Sequence, residues 1–167
     1  LSGSRSYNVN IGANYKYEYT QAYSVSLWFN RADLTGQWQG LFSNLNVSTP
    51  YAGAFDIFIY SDNTLWVRIS AGYIVNLAFC TKISNTTPFQ TTGIWYHIVV
   101  TWNGSWNVNN FKIYLNGTEY TNTTNSTTGT VMSATDAGNL YIGNRAGTVH
   151  GFRGKIDEVG LWNRVLT

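Results

Sequence analysis

The 167 residues carry 10 Lys and Arg against 8 Asp and Glu, a net charge of +2. That is too small and too scattered to mark nucleic acid or an anionic membrane as a partner. Charged residues are 11% of the chain, against roughly 25% in average soluble proteins, and Asn, Thr, Ser and Gly supply the polarity instead, as in extracellular adhesive β-proteins. Seven Trp, 12 Tyr and 8 Phe suffice for a sizeable core with aromatic surface to spare, and the length suits one domain over residues 1–167.

No segment sustains a 3.6-residue period. Short alternating runs between Gly, Asn and Thr clusters predict an all-β sandwich. Ser6–Ile11 reads as a first strand with Tyr7, Val9 and Ile11 on one face. Tyr15, Tyr17 and Tyr19 alternate through residues 14–20, as an edge strand or an extended loop. Tyr23–Asn30 is a strand with Val25, Leu27 and Phe29 inward and Ser24, Ser26 and Trp28 outward. Residues 31–39 read as a loop, followed by a short strand to Asn44 and a turn region around Pro50. Residues 54–60, 64–70 and 73–79 form a predicted meander, and residues 81–93, with Pro88, a polar connection. Cys80, the only cysteine, excludes an intrachain disulfide, and its apolar neighbours read as those of a buried thiol.

Residues 93–104 hold a strand apolar on both faces, which places it centrally in a sheet. Phe111–Asn116 follows, and Asn116-Gly117 is the strongest hairpin signal, because both residues tolerate the positive φ of a type I′ turn. The Thr- and Asn-rich residues 122–130 read as a loop, and Leu140–Asn144 as a strand. In the last stretch Phe152, Gly154 and Ile156 alternate with Arg153, Lys155 and Asp157, but Val159 and Leu161 fall one position out of phase. One extra residue restores the register, so a β-bulge is expected at Asp157–Glu158. The count of about ten to twelve strands is the size at which a sheet splits into two packed layers, roughly 10 Å apart.

The closing string G-K-I-D-E-V-G-L-W-N-R-V-L resembles the G-x-I-D-E-V-x-I-Y-N-R-A-L motif of laminin-G-like domains in the concanavalin A-like lectin/glucanase superfamily. G-I-W-Y-H-I-V-V-T-W-N-G resembles that family's W-H-H-V-A-V-T-Y-D-G strand, and SVSLWFN, FKIYLN and LYIGN resemble its early, hairpin and L-x-I-G strands. The resemblance implies a two-sheet antiparallel jelly roll. It also implies a calcium ligand at Asp157, with backbone carbonyls of residues 4–8 as partners; the alternative is that Asp157 hydrogen-bonds the first strand without a metal. The acidic cluster of the pentraxins' paired calcium site is not found. In that family an acidic segment follows Thr167, and the chain opens on Leu1, so a domain cut from a longer protein or a processed product is expected.

The superfamily includes glucanases, so the carboxylates need weighing. A retaining glycosidase holds two about 5–5.5 Å apart. Glu18, Asp33, Asp56, Asp62, Glu119, Asp136, Asp157 and Glu158 show no i, i+2 or i, i+4 pair, and the E-x-D-x-E pattern of the related glucanases is absent. Adjacent Asp157 and Glu158 would point to opposite faces of a regular strand. His97 reads as structural, and no enzyme is expected.

Sugar recognition fits better: an aromatic ring under the sugar's C–H face, with amide and charged groups reaching its hydroxyls in a concavity. The loop residues of those types are Asp33, Gln37 and Trp38; Tyr51; Asn103, Trp106 and Asn107; and Arg145, His150 and Arg153. For Trp38 and Trp106, capping the core is an equal reading. Trp28, Trp66, Trp95, Trp102 and Trp162 lie in predicted strands and read as structural. Six Asn-x-Ser/Thr sequons, at Asn46, Asn85, Asn103, Asn116, Asn122 and Asn125, read as chance in so Asn- and Thr-rich a chain, with a bacterial or viral source. The expectation is a non-catalytic carbohydrate-binding or adhesion module of an extracellular, cell-surface or virion protein. Other chains of a larger assembly are further partners. The rival is a structural or protein-interaction domain, such as a fibre tip, with no sugar site.

Overall fold

A computed structural model describes residues 9–12, 20–45, 54–71, 78–129, 138–145 and 150–167. These form twelve strands: β1 (Val9–Asn10), β2 (Tyr23–Arg31), β3 (Gln39–Ser43), β4 (Phe55–Ile59), β5 (Leu65–Ala71), β6 (Ala78–Ser84), β7 (Trp95–Trp102), β8 (Phe111–Leu115), β9 (Thr118–Glu119), β10 (Thr123–Thr128), β11 (Tyr141–Ile142) and β12 (Gly154–Trp162). A single 3₁₀ turn, Val108–Asn110, precedes β8. The strands make a seven-stranded sheet, β1-β11-β3-β4-β5-β6-β10, and a five-stranded sheet, β12-β2-β7-β8-β9. Every strand pair is antiparallel.

The inner faces follow from period 2. Val25, Leu27 and Phe29 of β2 and Ile98 and Val100 of β7 meet Phe55, Ile57, Ile59, Val67 and Ile69 of the other sheet in one buried cluster. Phe55 bridges the sheets, 5.0 Å from Tyr23 and 6.4 Å from Phe111 between ring centroids. Each such fully buried side chain stabilises the fold by about 1.5–3 kcal/mol. The doubly apolar strand β7 is third of five, as its sequence predicts. Arg31, also inward by parity, is fully buried. It closes the sandwich end by donating from Nη1 to the Phe89 carbonyl at 3.0 Å and from Nη2 to Asn63 Oδ1 at 2.8 Å.

The bulge in β12 is present. Asp157 pairs with Trp28 but Gly160 with Ser26, three residues against two, and Glu158 takes φ 49°. The extra residue lets both Ile156 and Val159 pack against the core.

Two expectations are corrected. The third strand of the meander, expected at 73–79, lies in part outside the described residues; β6 spans Ala78–Ser84, so Thr81–Ser84 continue a strand where a connection is expected. They pair with β5 and leave Pro88 beyond the strand end. Residues 123–128, read as loop, form β10 on the edge of the large sheet, paired with β6. Their side chains are all polar and mostly exposed, so no apolar alternation betrays the strand; β-branched Thr suits it nonetheless. β12 pairs with β2, whereas β1 pairs with β11 in the other sheet. The remaining expected first strand, before Val9, and residues 14–19 lie outside the described residues.

Candidate functional site

The outer face of the seven-stranded sheet is built by the same alternation that fills the core. Between the inward Phe55, Ile57 and Ile59 of β4, Asp56 and Phe58 point outward. Opposite them on β5 stand Arg68 and Trp66, in the register Asp56↔Arg68 and Phe58↔Trp66. Ser43 of β3 lies beside Asp56, and Gly40 beside Phe58.

Asp56 is the electrostatic centre, with its side chain 1% exposed. Its Oδ1 accepts from the Ser43 hydroxyl. Its Oδ2 accepts from Arg68 Nη2 at 2.7 Å and Arg145 Nη2 at 3.3 Å. Burial alone would push this carboxyl up. The two guanidinium groups and the Ser43 hydroxyl outweigh it and hold the carboxyl below its ordinary range. A buried carboxylate persists only with such partners.

The guanidinium groups lie in turn on aromatic faces. Arg145 Cζ sits 4.6 Å from the Phe58 centroid and 5.0 Å from that of Trp38. Arg68 Cζ sits 5.1 Å from Phe79. Above this layer runs an aromatic line: His150 to Trp38 at 4.8 Å, Trp38 to Tyr60 at 4.7 Å and Tyr60 to Trp66 at 5.0 Å. All four rings are half-buried, so each offers surface to solvent. Burial, and then the neighbouring Arg145, hold the His150 imidazole below its ordinary value, which favours its neutral form.

Gly40 makes the arrangement possible. A Cβ at residue 40 would run into the backbone of Asn144 and Arg145. Its absence lets the segment carrying Arg145 and His150 lie against β3. There the Gly40 N–H donates to the His150 carbonyl at 2.8 Å and Gly40 bridges Gly151.

A polar rim adjoins the aromatic line. Arg153 Nη1 donates to Asp33 Oδ2 and to Thr35 Oγ1, both at 3.3 Å, and the Arg153 backbone N–H donates to Gln39 Oε1 at 3.3 Å. Desolvation opposes the charge on Asp33, but the Thr35 hydroxyl and backbone N–H, with Arg153, hold its carboxyl below the ordinary value.

The structure therefore gathers Asp33, Trp38, Arg145, His150 and Arg153, with the exposed Gln37 in the same loop. It sets Asn103, Trp106 and Asn107 apart. They follow Trp102, the far end of β7, whereas the Trp38 loop follows Arg31 beside Trp95. The eight residues of β7 separate these ends by about 25 Å. Trp106 packs against the core, Asn107 caps the 3₁₀ turn, and Asn103 bonds Asn110 at 3.0 Å. Tyr51 lies outside the described residues.

Asp157 stands on the outer face of the other sheet, with Oδ1 accepting from the Glu158 N–H at 2.8 Å. The partners expected for a calcium ion, residues 4–8, lie outside the described residues. Among the described residues no three His, Cys, Asp or Glu converge. Only Glu158 joins Asp157, short of the six to eight oxygens calcium takes.

Sequence reasoning missed Asp56, Phe58, Tyr60, Trp66, Arg68 and Phe79. Trp66, read as structural, is half-exposed and part of the aromatic line. The signal was present: Asp56, Phe58 and Tyr60 are spaced i, i+2, i+4, as are Trp66 and Arg68, so the meander already put them on one face. His97, read as structural, has its Nε2 2.8 Å from Ser26 Oγ and its ring stacked on Trp28.

This is a β-sandwich of the lectin type. The family model described as the concanavalin A-like lectin/glucanases superfamily matches residues 3–167, and the chain belongs to that family. No curated protein matches it in sequence. Among solved structures, the CBM40 module of Ruminococcus gnavus IT-sialidase bound to alpha2,3 sialyllactose superposes with a TM-score of 0.60 at 15% identity, over 96% of this chain and 91% of that one. The NanB sialidase of Streptococcus pneumoniae gives 0.61 at 17% identity, covering 97% of this chain but 25% of the sialidase. A heptameric pentraxin of Limulus polyphemus gives 0.55 at 16%, over 89% and 66%. These likenesses are of fold.

Proposed function

We propose that the domain is a carbohydrate-binding module, receiving a glycan on the outer face of the seven-stranded sheet. The observation that carries this reading is the half-exposed line His150–Trp38–Tyr60–Trp66 lying over a buried Arg145–Asp56–Arg68 triad. The rings supply flat apolar surface for sugar C–H faces. The triad fixes their seating, and the Arg153–Asp33 rim supplies polar contacts. The Ruminococcus gnavus module, bound to sialyllactose, supports the same class.

The setting we infer is extracellular, on a cell surface or a virion. Among the described residues no helix is long and apolar enough to cross a membrane. A calcium ion at Asp157 belongs to the same reading, as a structural ion completed by carbonyls of residues 4–8. The test of the binding function is a glycan array carrying sialylated and neutral glycans, probed with wild type and Trp38→Ala. Binding by wild type that Trp38→Ala loses supports the reading; no glycan bound by wild type overturns it.

A further inference from the structure

The opposite face of the sandwich carries a second cleft. It is an open depression of about 300 Å³ lined by Trp28, Trp95, Asp157 and Glu158. Parity explains the indoles. Trp28 and Trp95 alternate with the inward Leu27, Phe29 and Tyr96, so both face out. Trp28 sits directly opposite Asp157 on β12 and opposite His97 on β7.

The bulge explains the acids. In a regular strand Asp157 and Glu158 would diverge, but the left-handed Glu158 (φ 49°) brings both to one cleft. The sequence-level expectation that they face apart is thereby corrected.

The two acids lack cationic partners. Among the described carboxylates, Asp33 pairs with Arg153, Asp56 with Arg68 and Arg145, and Glu119 with Lys112, while Asp62 accepts from the Thr64 hydroxyl and backbone N–H. Neither Asp157 nor Glu158 has an ion pair among the described residues. Lys155 shares the outer face of β12 with Asp157 yet makes no such pair. His97 is stacked on Trp28 and committed to Ser26. Trp95 is 42% exposed although large and apolar, so its ring is available from solvent.

We propose that this cleft binds a small organic ammonium group, seated between the indole faces of Trp28 and Trp95 with Asp157 and Glu158 as counter-charges. Aromatic faces and carboxylates both favour a cation, and together they select an alkylated one: the rings take the methyl or methylene surface while the acids take the charge. An anion is excluded by the two carboxylates. This ligand site is independent of the glycan face, which lies on the other sheet. It competes with the calcium reading for one carboxylate, Asp157.

The test is a titration of the whole domain followed at the indole Nε1–H resonances of Trp28 and Trp95 by ¹H–¹⁵N NMR. The probes are choline, n-butylammonium, the neutral choline isostere 3,3-dimethylbutanol, and calcium chloride. Saturable shifts at both indoles with an ammonium probe and none with the neutral isostere support the site. The tighter of the two cations identifies the headgroup as quaternary or primary. Glu158→Gln should weaken the affinity by about fivefold, and so should Trp95→Ala, which removes an exposed ring and spares the fold. Equal binding of the neutral isostere overturns the proposal, as does the absence of saturable shifts, or unchanged affinity in Glu158→Gln. Calcium that saturates the same resonances and excludes choline also overturns it, in favour of a metal site.

Discussion

Replacing Asp56 by Asn tests how the outer face of the seven-stranded sheet is held together. The amide keeps the shape of the carboxyl but removes its charge, taking from Arg68 and Arg145, with side chains 12% and 5% exposed, the carboxylate that joins them. Breaking a buried ion pair in this way costs about 3–5 kcal/mol. In a chain of this size each kcal/mol moves the melting temperature by about 2–4 °C. The variant should therefore melt roughly 6–20 °C below wild type at pH 7.

The acid limb gives a second reading of the same residue. The folded carboxyl lies below its unfolded value. Its stabilisation is therefore complete above the unfolded pKa and is lost as pH falls through the folded one. Wild type should lose stability in that window faster than Asp56→Asn. Thermal unfolding followed by circular dichroism across that range decides. A melting temperature within about 2 °C of wild type, or superimposable acid limbs, would refute the buried triad as an organising element.

Gly40→Ala should cost about 1–3 kcal/mol, towards the upper end because the Cβ meets backbone rather than a movable side chain. It should also weaken glycan binding by displacing Arg145 and His150, a joint loss that calorimetry and denaturant titration can check. Glu158→Asn should raise stability by about 1 kcal/mol, because Asn tolerates the left-handed conformation that Glu holds under strain; a lowered denaturation midpoint would count against this. If a calcium ion is held at Asp157, chelation should lower the melting temperature and added calcium restore it, since a ligand specific to the native state stabilises it. An unchanged melt removes calcium from the account.

The fold was legible because a jelly roll writes its core in period 2. Val25–Leu27–Phe29, Ile98–Val100 and the slip between Ile156 and Val159 each state a face or a bulge without outside help. β10 was not legible, because an edge strand of Thr, Asn and Ser has no apolar face to alternate.

The aromatic face around Trp38 was half visible. Trp38, Arg145, His150 and Arg153 stand out as large or charged groups in loops. Asp56 and Arg68 are hidden inside apolar runs, where a charge reads as an interruption until its cross-strand partner is known. Their pairing depends on register, and Arg145 reaches Asp56 from 89 residues away. The second cleft was least visible. It depends on one residue's left-handed backbone, which turns two neighbouring acids from opposite faces to one.

The central claim is that the aromatic line around Trp38 binds a glycan. Titration calorimetry of wild type and Trp38→Ala, with the strongest glycan from the array, tests it most directly. The account predicts saturable binding by wild type and a loss of about tenfold or more, roughly 1.4 kcal/mol, in Trp38→Ala, with the variant still folded by circular dichroism. Undiminished affinity in Trp38→Ala would contradict it, and so would a wild-type domain that binds no glycan.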